Sequence, residues 1–169
     1  MIDQIKHNSR FMDPEDARLI AEYAAAIDAN FTEYGNGEKE FTFFASFNNP
    51  EVLRLLNFYG NLAMSFVKNN YEGPFEPYDE SKTHVARFIE GFGMHEHYDV
   101  NRPNDIATLI YLNDNYEGGE IYFPAYDVCI KPQAGDLVCF PDNEKFVHGV
   151  KPILSGTRYT SPRWFTRIV

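Results

Sequence analysis

Basic side chains are in short supply in this 169-residue chain: 15 Lys and Arg stand against 25 Asp and Glu, for a formal net charge of -10. A polyanion is held by clustered Lys and Arg, so nucleic acid and anionic membrane are not expected partners. Long apolar runs are missing as well. No stretch reaches 18 uninterrupted apolar residues, and the first twenty alternate polar with apolar positions instead of forming the apolar core of a secretory leader. A cytoplasmic setting is the expectation. Cysteine is limited to Cys129 and Cys139, in DVCI and DLVCF, without the CxxC spacing of zinc or redox sites. Both read as buried thiols in a reducing compartment. Internal repeats and low-complexity segments are absent.

What is present is apolar and aromatic: 44% hydrophobic and 16% Phe, Tyr and Trp, enough for one domain over residues 1–169 with one sizeable core. Asp13-Pro14-Glu15-Asp16 places an N-cap, a first-turn proline and two acids where a helix starts, predicting a helix to about Asn30. Asn49-Pro50-Glu51 repeats that signal, and Leu53, Leu56, Leu62, Ala63 and Phe66 predict an amphipathic helix to about Asn69 whose apolar face covers a sheet. These helices would make a support over about 13–69, with EFTFFAS (40–46) as a strand between them. From about 84 to 168 the texture changes to short strand-like runs: THVARFIE, HEHYDV, IATLIYLN, EIYFP, YDVCI, DLVCF, FVHGV and TRYTSPRWF. Strands without intervening helices predict a mainly β fold, an antiparallel sandwich or barrel behind N-terminal helices. Residues 70–83, with Gly73, Pro74 and Pro77, read as a long ordered loop. Gly118-Gly119 and Gly135-Asp136 read as turns, Pro124 and Pro141 as strand ends, and Trp164 as core or pocket wall.

His97 and Asp99 stand two residues apart in HEHYDV, and side chains at i and i+2 of a strand share a face, so both can reach one metal. With five histidines and 25 acids, such a pair arises by chance about as often as not. A hydrogen-bonded His97–Asp99 pair is the bland reading. The third ligand has one histidine to draw on downstream, His148 in FVHGV. Two histidines and a carboxylate form the facial triad of non-haem iron(II) oxygenases, with positions left open for a co-substrate and O2. His95 would share the face and stays open as a ligand, a supporting group or a solvated residue. Ten residues after His148 comes Arg158, on a strand returning from the Ser155-Gly156 turn. Its planar fork suits the far carboxylate of a keto acid whose other end meets the metal.

The sequence resembles the prolyl 4-hydroxylase group of iron(II)/2-oxoglutarate dioxygenases. The likeness covers about residues 84–168 and includes HYD (97–99), IYLNDNYEGGEIYFP (110–124), IKPQAGDLVCFP (130–141) and HGVKPILSGTRY (148–159). It implies a double-stranded β-helix, a cupin-like jelly roll with helices packed on one sheet. It also implies iron ligation by His97, Asp99 and His148, and 2-oxoglutarate bound through Arg158. Implied chemistry is hydroxylation of a C–H bond, most readily of a prolyl residue in a peptide or protein, with release of succinate and CO2 and with ascorbate as a reductant. Two positions depart from the family: Phe88 and Ile121 stand where a tyrosine and a threonine often meet the co-substrate. Tyr98, Tyr111 or Tyr122 could replace them, and Tyr111 is favoured because its strand should line the barrel. Two readings compete: a cupin-like module binding a metal or small acid without turnover, which Arg158 opposes, and an oxygenase of a non-prolyl substrate. Among the latter, repair of alkylated nucleic acid is opposed by the charge. The segment Asn70–Lys82 offers Tyr71, Phe75 and Tyr78 either as a lid over a peptide or as packing on the barrel.

Overall fold

A computed structural model describes residues 2–27, 31–34, 42–44, 47–78, 85–99 and 105–168, with 32–34 and 42–44 as backbone. Helix α1 (Pro14–Ala26) starts where expected: the Asp13 carboxylate accepts from the Glu15 amide at 2.8 Å. It ends at Ala26, a turn short of Asn30, because the Ile27 backbone leaves the helical region; 28–30 lie outside the described residues. Helix α2 (Pro50–Asn70) is capped by Asn49, whose side-chain oxygen accepts from Glu51 and Val52. Its buried face is rotated from the expected one. Val52, Leu55, Leu56, Tyr59, Ala63 and Val67 are buried, Leu53 and Phe66 are half-buried, and Leu62 is exposed. Tyr59, at the centre of that face, donates to Asp16 and ties the helices together.

The larger sheet runs in the order β1 (Lys6–Asn8), β11 (Leu137–Asp142), β7 (Asp105–Tyr111), β14 (Thr157–Arg167), β5 (Ala86–Ile89), β3 (Thr42–Phe44), β2 (Thr32–Tyr34). All of its pairings are antiparallel, and β4 (Phe75–Pro77) adds to the far end of β14. A four-stranded sheet runs β10 (Val128–Ile130), β9 (Ile121–Phe123), β12 (His148–Val150), β6 (Met94–His97). The short β8 (Glu117–Gly118) and β13 (Ile153–Ser155) make a separate pair.

Strand alternation divides the larger sheet between two layers. Ile106, Ile110, Leu137, Cys139, Tyr159 and Phe165 pack with the two helices, whereas Ala107, Tyr111, Val138 and Phe140 pack with Ile121 and Phe123 of the smaller sheet. The second set is the interior between the sheets, and Trp164 packs against it as expected. Every strand-like run read from residues 84 to 168 contains a strand among the described residues, although in HEHYDV it stops at His97.

Three expectations need correction. Cys139 is buried, but Cys129 is exposed, because it sits on β10 at an edge of the smaller sheet between the inward-turned Val128 and Ile130. The loop expected over 70–83 contains β4, held by pairing of Phe75, Glu76 and Pro77 with Arg167, Thr166 and Phe165; 79–83 lie outside the described residues. Pro141 lies within β11 and not at its end, beyond the reach of β1, where no neighbour requires its amide. Of the 40–46 strand, 42–44 are described and form β3.

Candidate functional site

His97 closes β6 and lies directly opposite His148, the first residue of β12. The two rings are 4.5 Å apart between centroids. Each Nδ1 is engaged by a backbone carbonyl two residues earlier, His97 with His95 at 2.8 Å and His148 with Phe146 at 3.1 Å. A carbonyl only accepts, so the proton resides on Nδ1 and both Nε2 atoms keep their lone pairs, the tautomer a metal requires. His148 is also packed by Phe123 and Phe140. Burial, followed by the neighbouring His97, lowers its pKa to about 4, against smaller opposing effects of the Phe146 carbonyl and Asp99. It is therefore neutral at pH 7 and free to ligate.

Asp99 is placed differently from the sequence argument. Strand β6 ends at His97, so Asp99 does not share a strand face with it. Its amide instead donates to the Asp142 carboxylate at 3.0 Å, from the end of β11. Asp142 is fully buried, its Oδ2 has no hydrogen-bond partner, and burial together with the Asp99 charge raises its pKa. Sequence reasoning passed over Asp142; the available signal was an acid closing the apolar run LVCFP six residues before His148. Among the described residues no three His, Cys, Asp or Glu side chains converge on a single ion position. The structure thus brings the His97 and His148 rings together, and Asp99 follows His97 by two residues without its carboxylate joining them. His95 is exposed, and a bulge between the His148–His97 and Val150–Met94 pairs breaks the alternation that would have aligned it with His97. His84 lies outside the described residues.

Arg158 is the largest fully buried side chain, 1% exposed. It enters the interior from β14 opposite Phe88, and its guanidinium lies 5.0 Å from the ring centroids of both Phe88 and Tyr111. Nη2 donates to the Tyr111 hydroxyl at 3.1 Å, while Nε and Nη1 have no hydrogen-bond partner. A buried cation of this kind costs folding free energy unless something pairs with it. No carboxylate of the described chain does so. The site therefore fits an anionic group brought from outside, and a bidentate carboxylate matches the two idle donors. Of the tyrosines considered, Tyr111 meets Arg158. Tyr122 alternates out of the interior and packs on Gly149, and Tyr98 is half-exposed beyond the end of β6. Ile121 and Phe88 are buried in the interior and bring no hydroxyl to it.

The family model of the 2OG-Fe(II) oxygenase superfamily matches residues 83–166, about half of the chain. Among curated proteins, a 67-residue segment is 37% identical to prolyl 3-hydroxylase 2 and 34% identical to prolyl 3-hydroxylase 1, both of Homo sapiens. That segment is 37% of this chain but 10% and 9% of those relatives, so the match spans about a tenth of their length. Among solved structures, the viral collagen prolyl hydroxylase of Paramecium Bursaria Chlorella virus-1, described as a 2OG complex, superposes with a TM-score of 0.72 at 19% identity, covering 98% of this chain and 97% of that one. A Trichoplax adhaerens prolyl hydroxylase in complex with a hypoxia inducible factor peptide gives 0.79 at 18% identity, covering 98% and 84%. A Pseudomonas putida prolyl-4-hydroxylase gives 0.74 at 20% identity, covering 98% and 93%. At such identities the superpositions establish the fold, a double-stranded β-helix with helices on one sheet. With the family match over the segment that contains His97, Asp99, His148 and Arg158, the chain belongs to the 2OG-Fe(II) oxygenase superfamily.

Proposed function

We propose that this chain is an iron(II)- and 2-oxoglutarate-dependent dioxygenase that hydroxylates a C–H bond, with a prolyl residue in a peptide or protein as substrate. The observation that carries the reading is Arg158, buried between the sheets with Nε and Nη1 unpartnered and, among the described residues, no acid to neutralise it. A dicarboxylate with one end on Arg158 supplies that partner and leaves its keto-acid end for a metal. His97, Asp99 and His148 would hold iron(II), and Arg158 with Tyr111 would hold the distal carboxylate of 2-oxoglutarate. Bound together, the metal and keto acid supply the oxidising power, with O2 consumed and succinate and CO2 released.

The protein's part is positional. The carbonyls of His95 and Phe146 fix the imidazole tautomers. Asp142 fixes the backbone of Asp99. Phe123 and Phe140 pack His148 into an apolar wall, which limits water around the reacting centre. The prolyl substrate is supported by the curated relatives' names and by the peptide complex of the Trichoplax protein. Ascorbate as a reductant and a cytoplasmic site of action complete the proposal. No helix among the described residues is long and apolar enough to cross a membrane.

The test is anaerobic titration with iron(II) and 2-oxoglutarate. A visible charge-transfer band that requires both components supports the reading, and its absence rejects it. Mass spectrometry of proline-containing peptides then reads substrate: 2-oxoglutarate-dependent addition of one oxygen to proline is expected, and addition at another residue corrects the substrate assignment.

A further inference from the structure

Phe88 and Ile121 carry no hydroxyl into the interior, whereas Tyr116 buries one close to Arg158. The Tyr116 side chain is 4% exposed, and its hydroxyl is buried with no hydrogen-bond partner. A buried phenol ordinarily has one. Tyr116 lies between β7 and β8, packed in a small cluster with Ala86, Phe88 and Ile153. It is also a close neighbour of Arg158. A Cβ on Gly119, where φ is +69°, would meet Tyr116 Cε2 at 3.0 Å and Arg158 Cδ at 3.3 Å. Glycine at 119 therefore leaves the gap through which the ring and the arginine stem approach each other. Burial pushes the phenol up to about 12, opposed by the Arg158 charge, helped by Tyr111 and Asp114, and opposed least by a weak interaction of Arg158 with the hydroxyl itself, so Tyr116 keeps its proton at pH 7.

The segment that delivers Tyr116 is tied down on both sides. Asn113 donates to the Thr157 carbonyl at 2.7 Å and accepts from the Tyr159 amide at 2.8 Å, bracketing Arg158 on β14. Lys131 donates to the carbonyls of Tyr116 at 3.1 Å and Gly118 at 2.8 Å, and its ammonium lies 4.8 Å from the centre of the Tyr116 ring. Such a hold on an unsatisfied group resists the rotation that would let the hydroxyl find water. Tyr111 accepts from Arg158, so its own proton remains to be donated.

We propose that Tyr116 donates a hydrogen bond to the carboxylate that pairs with Arg158, so that Arg158, Tyr111 and Tyr116 form a three-donor cradle, with Lys131 as the positioning residue that holds Tyr116 in it. This rests on the reading that 2-oxoglutarate is the co-substrate. The cradle selects keto acids that end in a carboxylate, and its two tyrosine donors come from β7 and the segment after it, not from positions 88 and 121.

The test is calorimetric titration of the zinc-loaded protein, which does not turn over, with 2-oxoglutarate and with 2-oxopentanoate, which has the same chain length and keto-acid head but no distal carboxylate. Tyr116→Phe is expected to weaken 2-oxoglutarate by about ten- to a hundredfold, the effect of one hydrogen bond to a charged group, and to leave 2-oxopentanoate and the thermal midpoint unchanged. Lys131→Met should weaken 2-oxoglutarate selectively but less, with recovery in Lys131→Arg. Unchanged binding of 2-oxoglutarate to Tyr116→Phe, or equal weakening of both ligands, would overturn the proposal, leaving Tyr116 as pocket wall only. Should the unmodified protein bind 2-oxoglutarate no better than 2-oxopentanoate, the co-substrate reading itself fails and the cradle with it.

Discussion

The Asp99 amide donates to the Asp142 carboxylate at 3.0 Å, so a candidate metal ligand just past the end of its own strand is positioned from a strand of the other sheet. Asp142→Ala should lower metal affinity by about ten- to a hundredfold, the usual cost of removing a group that orients a ligand. Asp142→Asn keeps an acceptor for the amide and should stay within a few-fold of the parent. Competition of zinc against a chromophoric chelator measures both; equal losses in the two variants would mean that the charge, not the hydrogen bond, matters.

Alanine at His97, Asp99 or His148 should abolish turnover of 2-oxoglutarate and reduce iron binding. His95→Ala should retain most of both, because His95 is exposed and supports His97 through its backbone carbonyl, which the substitution leaves in place. Parallel metal titrations decide; a ligand-like defect in His95→Ala would revise the triad.

Arg158→Leu separates two energies. Binding of 2-oxoglutarate should weaken by about 2–5 kcal/mol, since the carboxylate loses a buried charged partner, while metal binding survives. Without ligand, the variant should be at least as stable as the parent, because an unpaired buried cation is replaced by an apolar side chain. Thermal melting of metal- and ligand-free protein checks the second claim, and a marked drop in midpoint would show that Arg158 is paired within the fold.

Acid stability follows from His148. Its pKa in the folded state, about 4, lies below the ordinary 6.5 of an unfolded chain. Above pH 6.5 both states are neutral there and its full contribution is present. Between pH 6.5 and about 4 the unfolded state takes up the proton and the folded state does not, so stability declines, by about 3 kcal/mol across the window. Asp142 acts in the opposite sense, since its raised pKa makes the folded state the stronger proton binder. The metal-free Asp142→Asn variant should therefore show a steeper acid loss than the parent. Urea unfolding at several pH values measures this, and parallel profiles would refute it.

Two of the three aromatic residues noted between Asn70 and Lys82 take the packing role considered for that segment, whose residues 79–82 lie outside the described ones. Phe75 is buried in β4, and Tyr71 donates to the Cys139 carbonyl at 3.0 Å. Both are packing residues, and Phe75→Ala should cost about 3–5 kcal/mol of stability. Tyr78 is 53% exposed, so Tyr78→Ala should leave the thermal midpoint within a degree or two. Melting curves of the two single variants test this division.

By itself the sequence determined the elements whose signals are local. Helix caps at Asp13 and Asn49 act within one turn, and alternating apolar runs specify strands whatever their partners, so α1, α2 and the strands from Ala86 to Arg167 other than the short β8 and β13 were legible. The order and spacing of His97, Asp99, His148 and Arg158 singled them out along the chain, and the fold brings the rings of His97 and His148 together and buries Arg158. The tertiary structure alone decided what depends on neighbours distant in sequence. Cys129 faces solvent because β10 is an edge, and Phe75 is buried because β14 extends far enough to pair with it. Asp142 reaches Asp99 across 43 residues, and Tyr116 reaches Arg158 because Gly119 leaves room beside both. Periodicity states which side of a strand a residue occupies, but the hydrogen-bond partner waiting on that side is supplied by the packing of the sheets.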